Sequence, residues 1–197
     1  GQGAVHAGGT TALLDTLVIP TSSAVGSNIV YFTAPAGDAI VVDQLAGGYL
    51  TVDNGTNVGM TYTIKSNTVA AGAATCTVTL NEVLEEALTA GTEQLAVYNN
   101  PFYATVIHDS VATAVLVGVP IVDVTASYYY WSQTAGFCAV LADQNWACAQ
   151  KLVPSASVDG SLRVAADGAL ELHPGVGLAM GVTADADYGL CLLNIMW

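Results

Sequence analysis

Between Met60 and Ser66 the side chains alternate strictly, with Met60, Tyr62 and Ile64 apolar and Thr61, Thr63 and Lys65 polar. Successive strand residues point to opposite faces, so a two-residue period fits a half-buried strand and not a helix. Thr75 to Leu80 alternates in the same way. Further β-rich runs are Leu13 to Ile19, Asn28 to Thr33, Ala39 to Leu45, Tyr49 to Val52, Gln94 to Tyr98, Tyr103 to His108 and Val111 to Val119. The last third adds Ser127 to Gln133, Phe137 to Leu141, Trp146 to Gln150, Ser161 to Ala165 and Tyr188 to Trp197. Gly, Asn, Asp and Pro punctuate these runs at close spacing, as in Ala34-Pro35-Ala36-Gly37-Asp38 and in Asp53-Asn54-Gly55-Thr56-Asn57, whose Asn-Gly pair takes positive φ without strain. The pattern predicts an all-β fold, a sandwich or barrel-like β modules, with at most one short helix. That helix is expected over Asn81 to Gly91, where Asn81 can cap, Glu82, Glu85 and Glu86 suit the positive end and Gly91 can end it.

With 197 residues the chain is long enough for one large β domain or two small modules. A change of composition near Asp109-Ser110 suggests an N-terminal module over 13–108 and an aromatic-rich C-terminal module over 109–197. Residues 1–12 read as a flexible arm, because the stretch Gly1 to Gly9 is rich in glycine and lacks the basic-then-apolar form of a signal peptide. The chain begins without Met, which fits either Met removal or cleavage of a precursor. The terminal run Tyr188 to Trp197 is apolar on both faces, so it is expected to be central to the fold, covered on both sides, with Trp197 buried.

Charge narrows the function. Only 10% of residues are charged, against roughly 25% in ordinary soluble domains, so covering this surface with a partner removes little ionic hydration. Sixteen acidic residues stand against Lys65, Lys151 and Arg163, a net charge of −13, which repels phosphates and excludes nucleic acid as a partner. No apolar run reaches 18 residues, so no membrane partner is expected; the longest, Val111 to Val122, contains Thr113 and Pro120.

Chemistry-bearing motifs are weak. Cys76, Cys138, Cys148 and Cys191 are scattered without a CxxC pair, as are His6, His108 and His173, so neither a metal nor a cofactor is expected. Cys138 and Cys148 straddle Asp143 symmetrically and would face each other across a hairpin turning at Ala142-Asp143-Gln144-Asn145, yet free thiols are expected in a reducing cytosol. His108-Asp109-Ser110 has the residue types of a hydrolase triad, but triad members normally meet from distant segments. Asp53 to Asn57 and Asp185-Ala186-Asp187 lack the spaced ligands of a calcium loop, and Glu85-Glu86 reads as a solvated face. No catalytic residue is expected. The aromatic cluster Tyr128, Tyr129, Tyr130 and Trp131 stands apart: on a strand its rings would line both sides, for core packing, a carbohydrate platform or a subunit interface. The interface candidates are Gly1, Gln2, Val5, His6, Tyr128, Tyr129, Tyr130, Trp131, Trp146 and Trp197.

Several segments carry a family resemblance. Ala46-Gly47-Gly48-Tyr49-Leu50 with Gly59 to Ile64, Val78 to Leu80 through Leu84 to Thr92, Asn99-Asn100-Pro101-Phe102-Tyr103, and Gly118-Val119-Pro120 to Tyr128 through Gly136 resemble virion structural proteins of aquatic tailed phages, commonly head decoration, or cement, proteins. The similarity spans residues 40 to 197. It implies a β-rich protein, assembled in the host cytoplasm, that attaches to the outer surface of an icosahedral capsid and bridges major capsid subunits. It also implies self-association as a homo-oligomer, a trimer being one form. The small number of basic residues departs from docking by salt bridges and leaves apolar burial and backbone pairing. Alternatives are a fibre or adhesin module that stacks sugars on Tyr128 to Trp131, a glycan hydrolase, and the shell-forming subunit itself.

Overall fold

The computed structural model describes residues 6–7, 14–109, 115–165 and 176–195. Over these residues the chain is all-β, with fifteen strands and no helix. It divides into two compact units, Thr11–Tyr103 and Ala104–Trp197 with Gly1–Thr10. The division falls between Tyr103 and Ala104, ahead of the change of composition at Asp109, and His6–Ala7 pair within the second unit.

Strand β1 (His6–Ala7) precedes the six strands of the first unit: β2 (Leu14–Val18), β3 (Ile29–Thr33), β4 (Tyr49–Asn54), β5 (Thr61–Asn67), β6 (Thr75–Leu80) and β7 (Gln94–Tyr98). They form one antiparallel sheet in the order β2-β7-β4-β5-β6-β3. Alternation decides which face is buried: Leu50 and Val52, Tyr62 and Ile64, and Cys76, Val78 and Leu80 point inward, whereas the threonines between them stay at the surface. Val30, Phe32 and Leu95 complete the core with Leu84 and Leu88 from the following loop. Each large side chain so buried contributes about 1.5–3 kcal/mol. The sheet curls until its edge strands β2 and β3 approach without pairing, which leaves a cleft lined by Asp15, Thr16, Thr33 and Pro35. The ladder of β2 is irregular between Leu14 and Leu17, where Thr16 takes a φ of 57°.

The second unit contains β8 (Val106–Ile107), β9 (Leu116–Pro120), β10 (Ser132–Gln133), β11 (Ala135–Leu141), β12 (Lys151–Pro154), β13 (Leu162–Val164), β14 (Gly177–Ala179) and β15 (Tyr188–Asn194). Antiparallel sheets of order β10-β9-β1-β8 and β11-β15-β14-β12-β13 share a core in which Val119 meets Val140, Leu152, Leu162, Cys191 and Leu193. His6 pairs with Ile107 on one side and Gly118 on the other, so at His6–Ala7 the expected free arm is replaced by a strand whose ladder bonds offset the cost of ordering it. The rest of the arm lies outside the described residues.

Two expectations for this unit are corrected. Phe137 to Leu141 does not form a hairpin with Trp146 to Gln150: β11 pairs along its whole length with β15, and Cys138 faces Cys191. Trp146 makes only a bridge to Thr183, and its indole packs on β15 so closely that a Cβ on Gly189 would lie 2.6 Å from the ring. The terminal strand is central, flanked by β11 and β14, but only one face is covered: Gly189, Cys191 and Leu193 are buried, while Tyr188, Leu190 and Leu192 are exposed. Met196 and Trp197 lie outside the described residues.

In the first unit the helix expected over Asn81 to Gly91 is absent. Its first-turn residues are engaged elsewhere: Asn81 Nδ2 donates to Thr63 Oγ1, and the Glu82 carboxylate accepts from Thr63 N–H and Oγ1–H. Leu84 and Leu88 then pair by backbone with Ser27 and Ser23, which buries both leucines in an extended path.

The expected strand Ala39 to Leu45 is also absent, and buried Asn67 explains the path taken. Its Oδ1 accepts from Leu45 N–H at 2.8 Å, and its Nδ2 donates to the Val41 and Thr68 carbonyls at 2.8 and 3.0 Å. One side chain thus supplies the hydrogen bonds a neighbouring strand would have given. Buried backbone groups left without partners cost about 1–3 kcal/mol. Asn67→Ala should therefore lose roughly that amount in urea unfolding, whereas an unchanged midpoint would show that the loop is held by other contacts.

Candidate functional site

Among the described residues the most exposed aromatic cluster is the loop from Ile121 to Trp131, which joins β9 to β10. Pro120 ends β9 because it has no N–H to continue the ladder, and the chain returns at Ser132, opposite Pro120. The two strands come so close that a Cβ on Gly118, whose φ is +138°, would lie 2.8 Å from the Gln133 carbonyl oxygen. Within the loop Tyr128 N–H donates to the Thr125 carbonyl at 3.3 Å, and Ser127 has a φ of 67°. Tyr130 is half-buried, its hydroxyl hydrogen-bonded to Thr105 Oγ1 at 2.9 Å. That anchor turns its neighbours outward: Tyr128 is 73% exposed, Trp131 88%, and Tyr129 fully.

The expected strand over Ser127 to Gln133 thus shrinks to Ser132–Gln133, and the rings lie in a loop instead of on both faces of a sheet. The reason is the ladder: β9 offers register to Ser132 and Gln133 only, because β9 itself stops at Pro120. Ile121 and Val122 are exposed in the same loop, together with the polar Asp123, Thr125 and Ser127.

The remaining interface candidates are dispersed. Trp146 is 2% exposed and belongs to the core of the second unit, so it offers no surface to a partner. His6 lies in β1. Gly1, Gln2, Val5 and Trp197 lie outside the described residues. His108 is buried, with its carbonyl accepting from Gly160 N–H at 2.8 Å. Asp185 N–H donates to Asn145 Oδ1, and Asn54 Oδ1 accepts from Gly55 N–H, so both acidic segments are turns. Among the described residues no three His, Cys, Asp or Glu side chains gather as metal ligands, and no helix is long and apolar enough to cross a membrane.

Two titratable groupings arise only through folding. The Asp15 and Asp53 carboxyl groups, far apart in sequence and without a motif, interact in the first unit. Burial, reinforced by the bond to Asp15, raises the Asp53 pKa above its ordinary value. Cys138 and Cys191 meet on the inner face of the five-stranded sheet, where burial, with Cys138 alongside, pushes the Cys191 thiol up to about 12. Burial likewise raises Cys76 and Cys138, whereas Cys148 is exposed. Thiols so disfavoured as thiolates are poor nucleophiles.

No family model matches the chain, and no curated protein matches it. A solved structure, the N base of head fibre gp8.5 of bacteriophage phi29, aligns over 84% of this chain and 94% of its own, with 13% identity and a TM-score of 0.26. A likeness that slight carries neither family nor function.

Alkylation of the native protein should label Cys148 rapidly and the other three cysteines only on unfolding; mass spectrometry of the native adduct would contradict the burial if Cys191 were modified as fast as Cys148. The raised Asp53 pKa gives a signed pH dependence. A carboxyl with a higher pKa in the fold contributes stability that is fully present below its ordinary value of 3.8 and is lost as pH rises through the folded value. At neutral pH the ionised Asp53 carboxylate weakens the fold. Asp53→Asn, which keeps a donor toward Asp15, should therefore raise the melting temperature at about pH 7 and change it little at about pH 3. An equal gain at both pH values would rule out the charge as its cause.

Proposed function

We propose that this chain is a structural protein of a tailed-phage virion that sits on the outer surface of the icosahedral capsid and bridges major capsid subunits, with no catalytic activity of its own. The observation that carries the reading is the Ile121–Trp131 loop, which holds two tyrosines and a tryptophan in solvent on a chain with three cations. Tyr and Trp are the residues that most often anchor protein interfaces, since each buries a large rigid area at small conformational cost. The Tyr130–Thr105 bond fixes the base of the loop and reduces what remains to be ordered on binding. Docking by salt bridges is ill suited to so few cations, which leaves apolar burial as the main source of affinity. The virion assignment itself rests on the sequence resemblance over residues 40 to 197.

A second reading, a carbohydrate-binding fibre or adhesin module, is favoured by the same exposed rings, because aromatic faces also stack on sugars. The two separate experimentally. Co-sedimentation with shells built from the major capsid protein should show saturable occupancy of the outer surface, and Trp131→Ala should weaken it by about 2 kcal/mol, roughly 30-fold in Kd. Wild-type protein that ignores the shells but binds a glycan array, with the signal lost in Trp131→Ala, would replace the capsid reading with the adhesin one. Turnover of any polysaccharide would establish an enzyme instead.

A further inference from the structure

Among the described residues of the second unit, the outer face of the five-stranded sheet is open over β11, β15 and β14, whereas Val153 on the same face of β12 is buried. Ladder register sets who stands beside whom: Phe137 faces Leu192, which faces Leu178; Ala139 faces Leu190; and Leu141 faces Tyr188. Directly opposite residues share a face, and Met180, whose N–H donates to the Leu190 carbonyl, extends it. Phe137, Leu178, Met180, Tyr188, Leu190 and Leu192 are all exposed, Phe137 at 62% and Tyr188 at 59%. None of the side chains on this face of β11, β15 or β14 is charged; Lys151, opposite Leu178, borders it. Together they leave on the order of 500 Å² of contiguous apolar surface in water, at the upper end of what monomers show.

We infer that this face is where a second copy of the chain docks, sheet against sheet. Two such faces, with the alanines between the larger side chains, come close to the roughly 1,200 Å² at which standard stable interfaces begin. Charge argues for a like partner. A chain of net charge −13 repels its own copies everywhere except where charge is missing, and this face lacks acidic groups. A basic partner would find no carboxylate here to pair with. The face is also self-complementary, since a closed symmetric pair needs one apolar patch meeting itself, and sheets pack face to face in this way.

Sedimentation velocity of the purified chain, without capsid shells, tests the inference independently of the proposed function. The wild type should associate at micromolar concentration, and Leu190→Asp should raise the dissociation constant at least tenfold. Tyr129→Asp, on the aromatic loop, should leave association unchanged. Circular dichroism and a melting curve establish that each variant is folded, and Phe137→Ser serves as the milder replacement if Leu190→Asp does not fold. A wild type that stays monomeric at about 100 μM, or variants of this face that associate like the wild type, would overturn the inference. So would a monomer whose binding to capsid shells is lost in Leu190→Asp, because the occupant would then be the shell protein.

Discussion

An antiparallel sheet packed on one side only leaves alternate residues of every strand facing water or a partner. Here that constraint acts on strands with hardly any long charged side chains, and the two units meet it differently. In the first unit the outward positions of β5 and β6 are mainly threonines, Thr61, Thr63, Thr75 and Thr77, whose hydroxyls hydrate at little cost and whose branched Cβ suits the pleat. In the second unit the outward positions of β11 and β15 hold Phe137, Tyr188, Leu190 and Leu192. On these strands the first unit turns hydroxyls to water and the second turns large apolar side chains to it.

What lies between strands follows from hydrogen-bond satisfaction rather than from propensity. Asn67 takes over the bonds of the segment around Val41 and Leu45, and Glu82 does similar work at Thr63. The two bonds from Thr63 hold the Glu82 carboxyl below the usual carboxylate range. These side chains free the backbone to run as loops while keeping buried polar groups paired. The curled sheet of the first unit therefore needs neither a helix nor a closing strand to cover Leu84 and Leu88.

The same economy of charge shapes recognition. With acidic groups in excess and only three cations, apolar area is the main source of affinity for the contacts proposed, and the aromatic loop and the outer sheet face both lie in the second unit. The aromatic loop is anchored at Tyr130 and presents rings one at a time, as a pocket-filling element would. The outer sheet face spreads exposed apolar side chains across three neighbouring strands.

For the strands with the clearest alternation, existence and face were legible in the residues themselves. Thr75–Leu80 and Gln94–Tyr98 form as read, and the alternation of Met60 to Ser66 points Tyr62 and Ile64 into the core as expected, because facing is a local property of a two-residue period. Partnership was not legible. Symmetry about Asp143 suggested Cys148 for Cys138, yet β15, some fifty residues on, takes that place because its unbroken ladder to β11 satisfies more backbone than a short hairpin would. Likewise Tyr128 to Trp131 has the composition of a strand and forms a loop, since β9 stops at Pro120 and offers those residues no ladder. The terminal strand combines both lessons: its apolar character on two faces was written in the sequence, but which face meets the core and which stays open was decided by the strands that flank it. Side-chain alternation is settled residue by residue along the chain, whereas backbone pairing is a competition among segments distant in sequence, and only the folded chain resolves it.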